Sequence, residues 1–122
     1  MSRKHYLVSF LVIFSFLVTA CSNSSSDNVR EQIERRDAAE AEVWNIIDAS
    51  RSCESDAQCS TEYLGCPFGC GIALNTDKKE AAIKAVSLYH ENYSECLYKC
   101  LPPVGARCEV NLCVEILATD LP

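Results

Sequence analysis

Eight cysteines in four close pairs, Cys53/Cys59, Cys66/Cys70, Cys96/Cys100 and Cys108/Cys113, constrain this chain more than any other feature. A stretch of about 65 residues is marginal if apolar burial alone must hold it. Disulfides typically add ~2–4 kcal/mol each, so four of them would decide whether it folds. Eight cysteines allow on the order of a hundred pairings. The expected grouping ties Cys66 and Cys70 to Cys96 and Cys100, and Cys53 and Cys59 to Cys108 and Cys113. The chain as a whole has nine cysteines. An odd thiol is awkward in an oxidising compartment, so the ninth, Cys21, needs another use.

The amino end supplies one. Arg3, Lys4 and His5 form a cationic start, and residues 6–18 read YLVSFLVIFSFLV. That run is short of the roughly 20 residues a membrane-spanning helix needs. It fits the apolar region of a secretory signal peptide, with a retained N-terminal membrane helix as the alternative. Val18-Thr19-Ala20-Cys21 follows: a branched apolar residue, two small ones, then cysteine. This leader and tetrapeptide resemble the lipobox signal of bacterial lipoproteins. The resemblance covers residues 1–21. It implies that residues 1–20 are removed, that the Cys21 thiol carries a diacylglyceryl group, and that Cys21 becomes the mature N-terminus. Ser22, where Asp would direct otherwise, implies an outer-membrane anchor facing the periplasm in a Gram-negative envelope. Each buried methylene contributes about 0.8 kcal/mol, so two or more acyl chains make a durable tether.

The formal charge is −6. Without Arg3 and Lys4, 9 Lys+Arg stand against 17 Asp+Glu, a net −8. Nucleic-acid phosphates need a basic surface, so no nucleic-acid partner is expected. Anionic headgroups repel such a chain as well, which leaves the lipid as its means of membrane contact.

Residues 21–28 are read as a lipidated flexible linker, polar and without an apolar anchor. Residues 29–50 read as an amphipathic helix, capped by Asp27 or Asn28 and uninterrupted by Gly or Pro. Ala39, Val43, Ile46 and Ile47 fall at helical spacing, with Trp44 beside them. That stripe should pack on the cysteine-rich domain, residues 51–122, or meet a partner or second copy.

Within that domain, residues 53–59 read as a polar loop with Asp56 at a turn. Pro67, Gly69 and Gly71 make residues 66–71 a tight, irregular turn. Phe68 at its tip is a core plug or an exposed contact. Residues 72–75 read as a short strand. Thr76 or Asp77 then caps a helix, with Glu80 completing a capping box to Asp77. Ala82, Val86, Tyr89, Tyr93, Cys96 and Cys100 recur at steps of four and three, which predicts one buried face carrying both tyrosines and both cysteines. Pro102-Pro103 should end that helix. Residues 105–117 read as a hairpin turning near Val110-Asn111, with the turn type left open. The fold class expected is therefore α+β: a small disulfide-stapled domain with two helices and a C-terminal β-hairpin, preceded by a cleaved signal peptide.

Chemistry is sparse. The cysteine pairs have three to five intervening residues, not the CxxC spacing common in zinc and thiol-redox sites, so no metal is expected. No cofactor is expected beyond the covalent lipid on Cys21. The two C-x3-C units are similar to those of small mitochondrial intermembrane chaperones, but Pro67 and Gly69 break the first unit, and the leader is bacterial in style. Cys53, Asp56, Cys59, Phe68, Cys70 and Gly71 are distantly similar to whey-acidic-protein inhibitor domains, whose adjacent double cysteine is missing here. Disulfide-locked loops suit inhibitors by lowering the entropy cost of binding. His90, the one histidine after the leader, lies beside Tyr89 and reads as a rim residue rather than a general base. No acidic pair stands apart as catalytic, and Gly-rich phosphate loops are absent.

The sequence thus predicts a lipid-anchored envelope protein presenting a binding or structural domain, with no catalytic residues. Its expected partners are the membrane, through the lipid, and an envelope protein. Phe68 and Trp44 are the candidate contacts. A protease-inhibitor-like domain is the alternative.

Overall fold

The computed structural model describes residues 24–93, 96–97 and 99–121. The expected signal peptide, Cys21 and the first residues of the expected linker lie outside them. The chain divides into two compact units, Met1–Arg35 and Arg36–Pro122. Helix α1, Ser24–Ala49, runs through the division.

In the first unit, α1 begins at Ser24, five residues before the expected start at Val29. Residues 24–28 of the expected flexible linker are therefore helical. Nothing in Ser-Asp-Asn prevents this, since these residues are only modestly poorer helix formers than those that follow. Residues 26–35 are solvent-exposed. Arg30 pairs with Glu34 at 3.5 Å and Arg35 with Glu31 at 2.5 Å, each one helical turn apart. Such exposed pairs support a helix by roughly 0.3–0.5 kcal/mol each.

The second unit holds two antiparallel two-stranded sheets. Strand β1 (Cys59–Glu62) pairs with β2 (Ile72–Asn75), matching Cys59 with Asn75 and Glu62 with Ile72. Strand β3 (Gly105–Glu109) pairs with β4 (Leu112–Ile116), placing Cys108 opposite Cys113. Helix α2, Lys79–Asn92, lies between the two sheets in sequence. The expected α+β class, two helices and C-terminal hairpin are present. Strand β1 begins at Cys59, the last residue of the expected polar loop, and continues through residues for which the sequence predicts no element, because Cys-Ser-Thr-Glu lacks an apolar alternation. Its partner β2 supplies the burial that its own composition does not.

Strand β2 divides the core. Side chains alternate across a strand, so Ala73 and Leu74 face opposite ways and both are fully buried. Leu74 joins Val43, Ile47, Leu64, Phe68, Ala82, Val86 and Tyr89 in the larger apolar cluster. Ala73 joins Cys53 and Cys113 in a smaller one, packed by Cys59, Ala106 and Cys108. One cluster is held mainly by hydrocarbon and aromatic contact, the other by sulfur.

All eight cysteines from Cys53 onward are paired. Cys53–Cys108 and Cys59–Cys113 tie residues 53–59 to the C-terminal hairpin, with Cα separations of 5.9 and 5.5 Å. Cys66–Cys96 and Cys70–Cys100 tie the irregular turn to the segment after α2, each at 5.2 Å between Cα atoms. The pairs follow the expected grouping.

Helix α2 differs from expectation at both ends. It starts at Lys79 with Lys78 as cap residue, and no side chain caps it. Asp77 precedes the cap position and so does not form the predicted capping box; its N–H donates to Asn75 Oδ1 at 2.8 Å, an Asx-type turn. At the other end Asn92 is the last helical residue, and Tyr93 is extended at φ −132°, ψ 138°. Asn92 Nδ2 donates to Leu88 O at 2.8 Å, satisfying a carbonyl of the final turn. Cys96 and Cys100 therefore lie beyond the helix rather than on its buried face, and Pro102-Pro103 falls well after its end.

The hairpin turn is type I′ in character: Val110 and Asn111 both have positive φ, 49° and 63°. Asn tolerates that conformation, whereas a β-branched valine is strained there. No helix among the described residues is long and apolar enough to cross a membrane.

Candidate functional site

Phe68 is fully buried, which removes it as a candidate partner contact. The tight turn carries it inward, where it meets Trp44 edge-on at 5.6 Å between ring centroids and Tyr89 at 4.9 Å. Such edge-to-face pairs stabilise beyond simple area burial, by roughly 0.5–1.5 kcal/mol each. Trp44 is partly buried and packs against the same cluster. Its ring is chiefly a core element, so the two predicted contacts meet each other inside the fold.

The surface beside them is more open. A hollow of 310 Å³ lies between the second half of α1 and α2. Ala39, Val43 and Ile46 form its α1 wall, with Glu42 at that wall. Ala85, Leu88 and Tyr89 form the α2 wall, closed off by Asn92 and Tyr93. Val43 and Tyr89 are buried and make a rigid base, whereas Leu88 is half exposed. The hollow exists because Ala39 and Ala85 are too small to fill the space between two helical faces. Among the described residues Glu42 has no ion-pair partner.

Arg36 reaches one of the lining residues, Tyr89. Its Nε donates to the Tyr89 hydroxyl at 3.2 Å, and that bond holds the guanidinium above its ordinary pKa range. Its charge is thereby anchored to the Tyr89 hydroxyl. Of the lining residues, Ala39, Val43, Ile46, Tyr89 and Tyr93 fall on apolar faces expected from the sequence, whereas Glu42, Ala85, Leu88 and Asn92 do not. The available signal was the pair of alanines on otherwise large-residue helical faces, with Leu88 next to the buried-face residue Tyr89.

A second, polar hollow of 460 Å³ is lined by Ser52, Glu54, Gln58, Asn75, Asp77 and Lys78 among others. Several of its polar groups are engaged with one another. Asn75 Nδ2 donates to Ser52 O at 2.6 Å, Lys78 Nζ to Ser52 Oγ, and Gln58 Oε1 accepts from the N–H of Glu54 at 2.7 Å. That arrangement braces the start of the domain.

His90 Nε2 lies 3.0 Å from Cys66 O, where a ring N–H donates to the carbonyl, and the ring sits 6.1 Å from Phe68. It ties α2 to the irregular turn. The sulfurs of Cys53, Cys59 and Cys113 lie within 4.8 Å of one another. They are consumed in disulfides to Cys108 and between Cys59 and Cys113, and a disulfide offers no thiolate to a metal. The groove can therefore bind and orient an apolar group, and Glu42 can meet a cation. No protein-family model matches the chain, and neither the curated proteins nor the solved structures hold a significant match to it.

Proposed function

We propose that this chain is a bacterial envelope lipoprotein, anchored through Cys21, whose disulfide-stapled domain is a binding module rather than an enzyme. The observation that carries the anchor is sulfur parity. The eight cysteines from Cys53 to Cys113 bond among themselves, and the ninth, Cys21, sits at the end of a lipobox-like leader. Binding through the groove between α1 and α2 is supported by its apolar walls and preformed base. The membrane and an envelope protein are the partners, and the outer membrane facing the periplasm is the location that Ser22 favours.

The test is metabolic labelling with an alkyne fatty acid, followed by intact-mass measurement. The wild-type chain should carry label and begin at Cys21. Cys21→Ala should lose both label and cleavage. Label retained in that variant would refute the anchor.

A second reading has its own observation. Leu97 and Leu101 are 98% and 90% exposed, in a segment whose Cys96 and Cys100 are both bridged to the irregular turn. A clamped loop presenting large apolar side chains is the form of a peptidase inhibitor. A panel of serine peptidases inhibited by wild type but not by Leu97→Asp would favour it.

A further inference from the structure

The walls of the groove are helical and apolar, with the Glu42 carboxylate among the lining residues, and we propose that its occupant is a cationic amphipathic helix of a partner chain. This inference rests on the binding-module reading and names the partner's chemistry. Two helices with a hollow along their seam present ridges that a third helix can fill. Amphipathic helices dock into such grooves through anchors at i, i+3, i+4 and i+7. The walls run from Ala39 to Ile46 on α1 and from Ala85 to Asn92 on α2. That is about two helical turns at ~1.5 Å per residue, room for two or three apolar anchors.

Charge selects among such helices. Residues 36–122 carry 14 acidic against 7 basic residues. The α1 wall lies within residues 36–49, which hold four acids, Asp37, Glu40, Glu42 and Asp48, against one base, Arg36, and of these five Glu42 alone lines the groove. Arg36 is bonded to the Tyr89 hydroxyl. On α2, Lys79 is paired with Glu62 at 2.5 Å. Lys84 lines a different hollow, with Glu80, Ile83 and Ser87. Glu42 is the charged side chain among the groove's lining residues, and it lacks an ion-pair partner among the described residues. A helix with Leu on one face and Lys or Arg flanking that face would cover Leu88 and meet Glu42. An acidic helix of the same shape would bring like charges together.

The experiment uses the purified full chain, disulfides intact, in a neutral detergent. Three model helices are titrated by anisotropy of an uncharged dye: one of Leu and Lys, one of Leu and Glu, and one of Leu and Gln. The Leu/Lys helix should bind saturably and at least ten-fold tighter than the Leu/Glu helix, and more weakly at high salt. Glu42→Gln should weaken it roughly two- to five-fold, the range of a solvated ion pair. Leu88→Ser should weaken all helices that bind, and because Leu88 is half exposed this variant keeps the fold. Equal binding of the Lys and Glu helices, no binding of the Lys helix, or indifference to both variants would overturn the proposal. A photo-cross-linker at position 88, used in the native envelope, separates the two readings. A specific protein adduct together with failure of the Leu/Lys helix leaves the binding module standing and removes the cationic helix. Absence of both removes both.

Discussion

The Glu115 carboxylate accepts the backbone N–H of Ala73 at 2.8 Å, so a side chain from β4 completes the bonding of β2. Among the described residues strand β2 has a strand partner only on its β1 side. Ala73 is fully buried, and its N–H would otherwise be an orphan donor. The same carboxylate approaches Arg51 Nη2 at 3.6 Å, while Arg51 donates from Nε and Nη2 to Cys113 O at 3.1 and 3.0 Å. Together these contacts join the two sheets without a shared ladder.

Glu115→Ala should therefore destabilise the domain by about 1–3 kcal/mol, the cost of leaving a buried donor unsatisfied. Glu115→Gln retains a carbonyl oxygen and should lose less than half as much. Urea midpoints at unchanged m-value would measure both. Equal losses in the two variants would assign the effect to charge rather than to the Ala73 bond.

Strain in the hairpin turn leads to an improvement. Val110 is 93% exposed and holds φ 49°, so it contributes no burial to offset its backbone cost. Asn at the first central position of a type I′ turn is preferred. Val110→Asn should raise stability by about 1 kcal/mol, read as a higher melting temperature with the hairpin register unchanged.

Paired bridges should behave non-additively. Cys53–Cys108 and Cys59–Cys113 close loops of nearly equal span, with sequence separations of 55 and 54. While one remains, the other closes only a short circuit through residues 53–59 and 108–113. On the chain-entropy model the first bridge removed should cost about 3 kcal/mol and the second about 4 kcal/mol. Denaturant melts of the single and double Cys→Ala pairs test this. A second loss smaller than the first would contradict it.

Much of this architecture was legible in the sequence, and the parts that were not share a cause. The buried face of α2 through Ala82, Val86 and Tyr89, strand β2 and the hairpin follow from local pattern, whereas the cysteine grouping joins residues 30 to 55 apart, which local pattern does not choose among. The extension of α2 to Cys100 did not hold, because periodicity continued past the point where Asn92 closes the helix with its own side chain. Strand β1 was missed because its burial comes from neighbours. Phe68 could be read either way, since a turn's direction depends on what lies beneath it. The groove was illegible because it is made by what Ala39 and Ala85 lack, and absence of volume leaves no periodic mark.

Tyr89 allows packing and polarity at the groove base to be separated. Its ring is buried, lies 4.9 Å from Phe68 and 4.8 Å from Tyr93, and its hydroxyl accepts from Arg36. Arg36 is open to water, so it can exchange the lost bond for hydration. Tyr89→Phe should therefore change stability by no more than about 1 kcal/mol, whereas Tyr89→Ala should lose about 3–5 kcal/mol through the cavity it opens. The phenol is neutral and the exposed guanidinium keeps its charge with or without it, so Tyr89→Phe should leave both the melting curve and binding of the Leu/Lys helix nearly unchanged. Weakened binding without lost stability would assign the hydroxyl to the groove's electrostatics. A large loss of stability would make it a structural bond and leave the groove's charge to Glu42 alone.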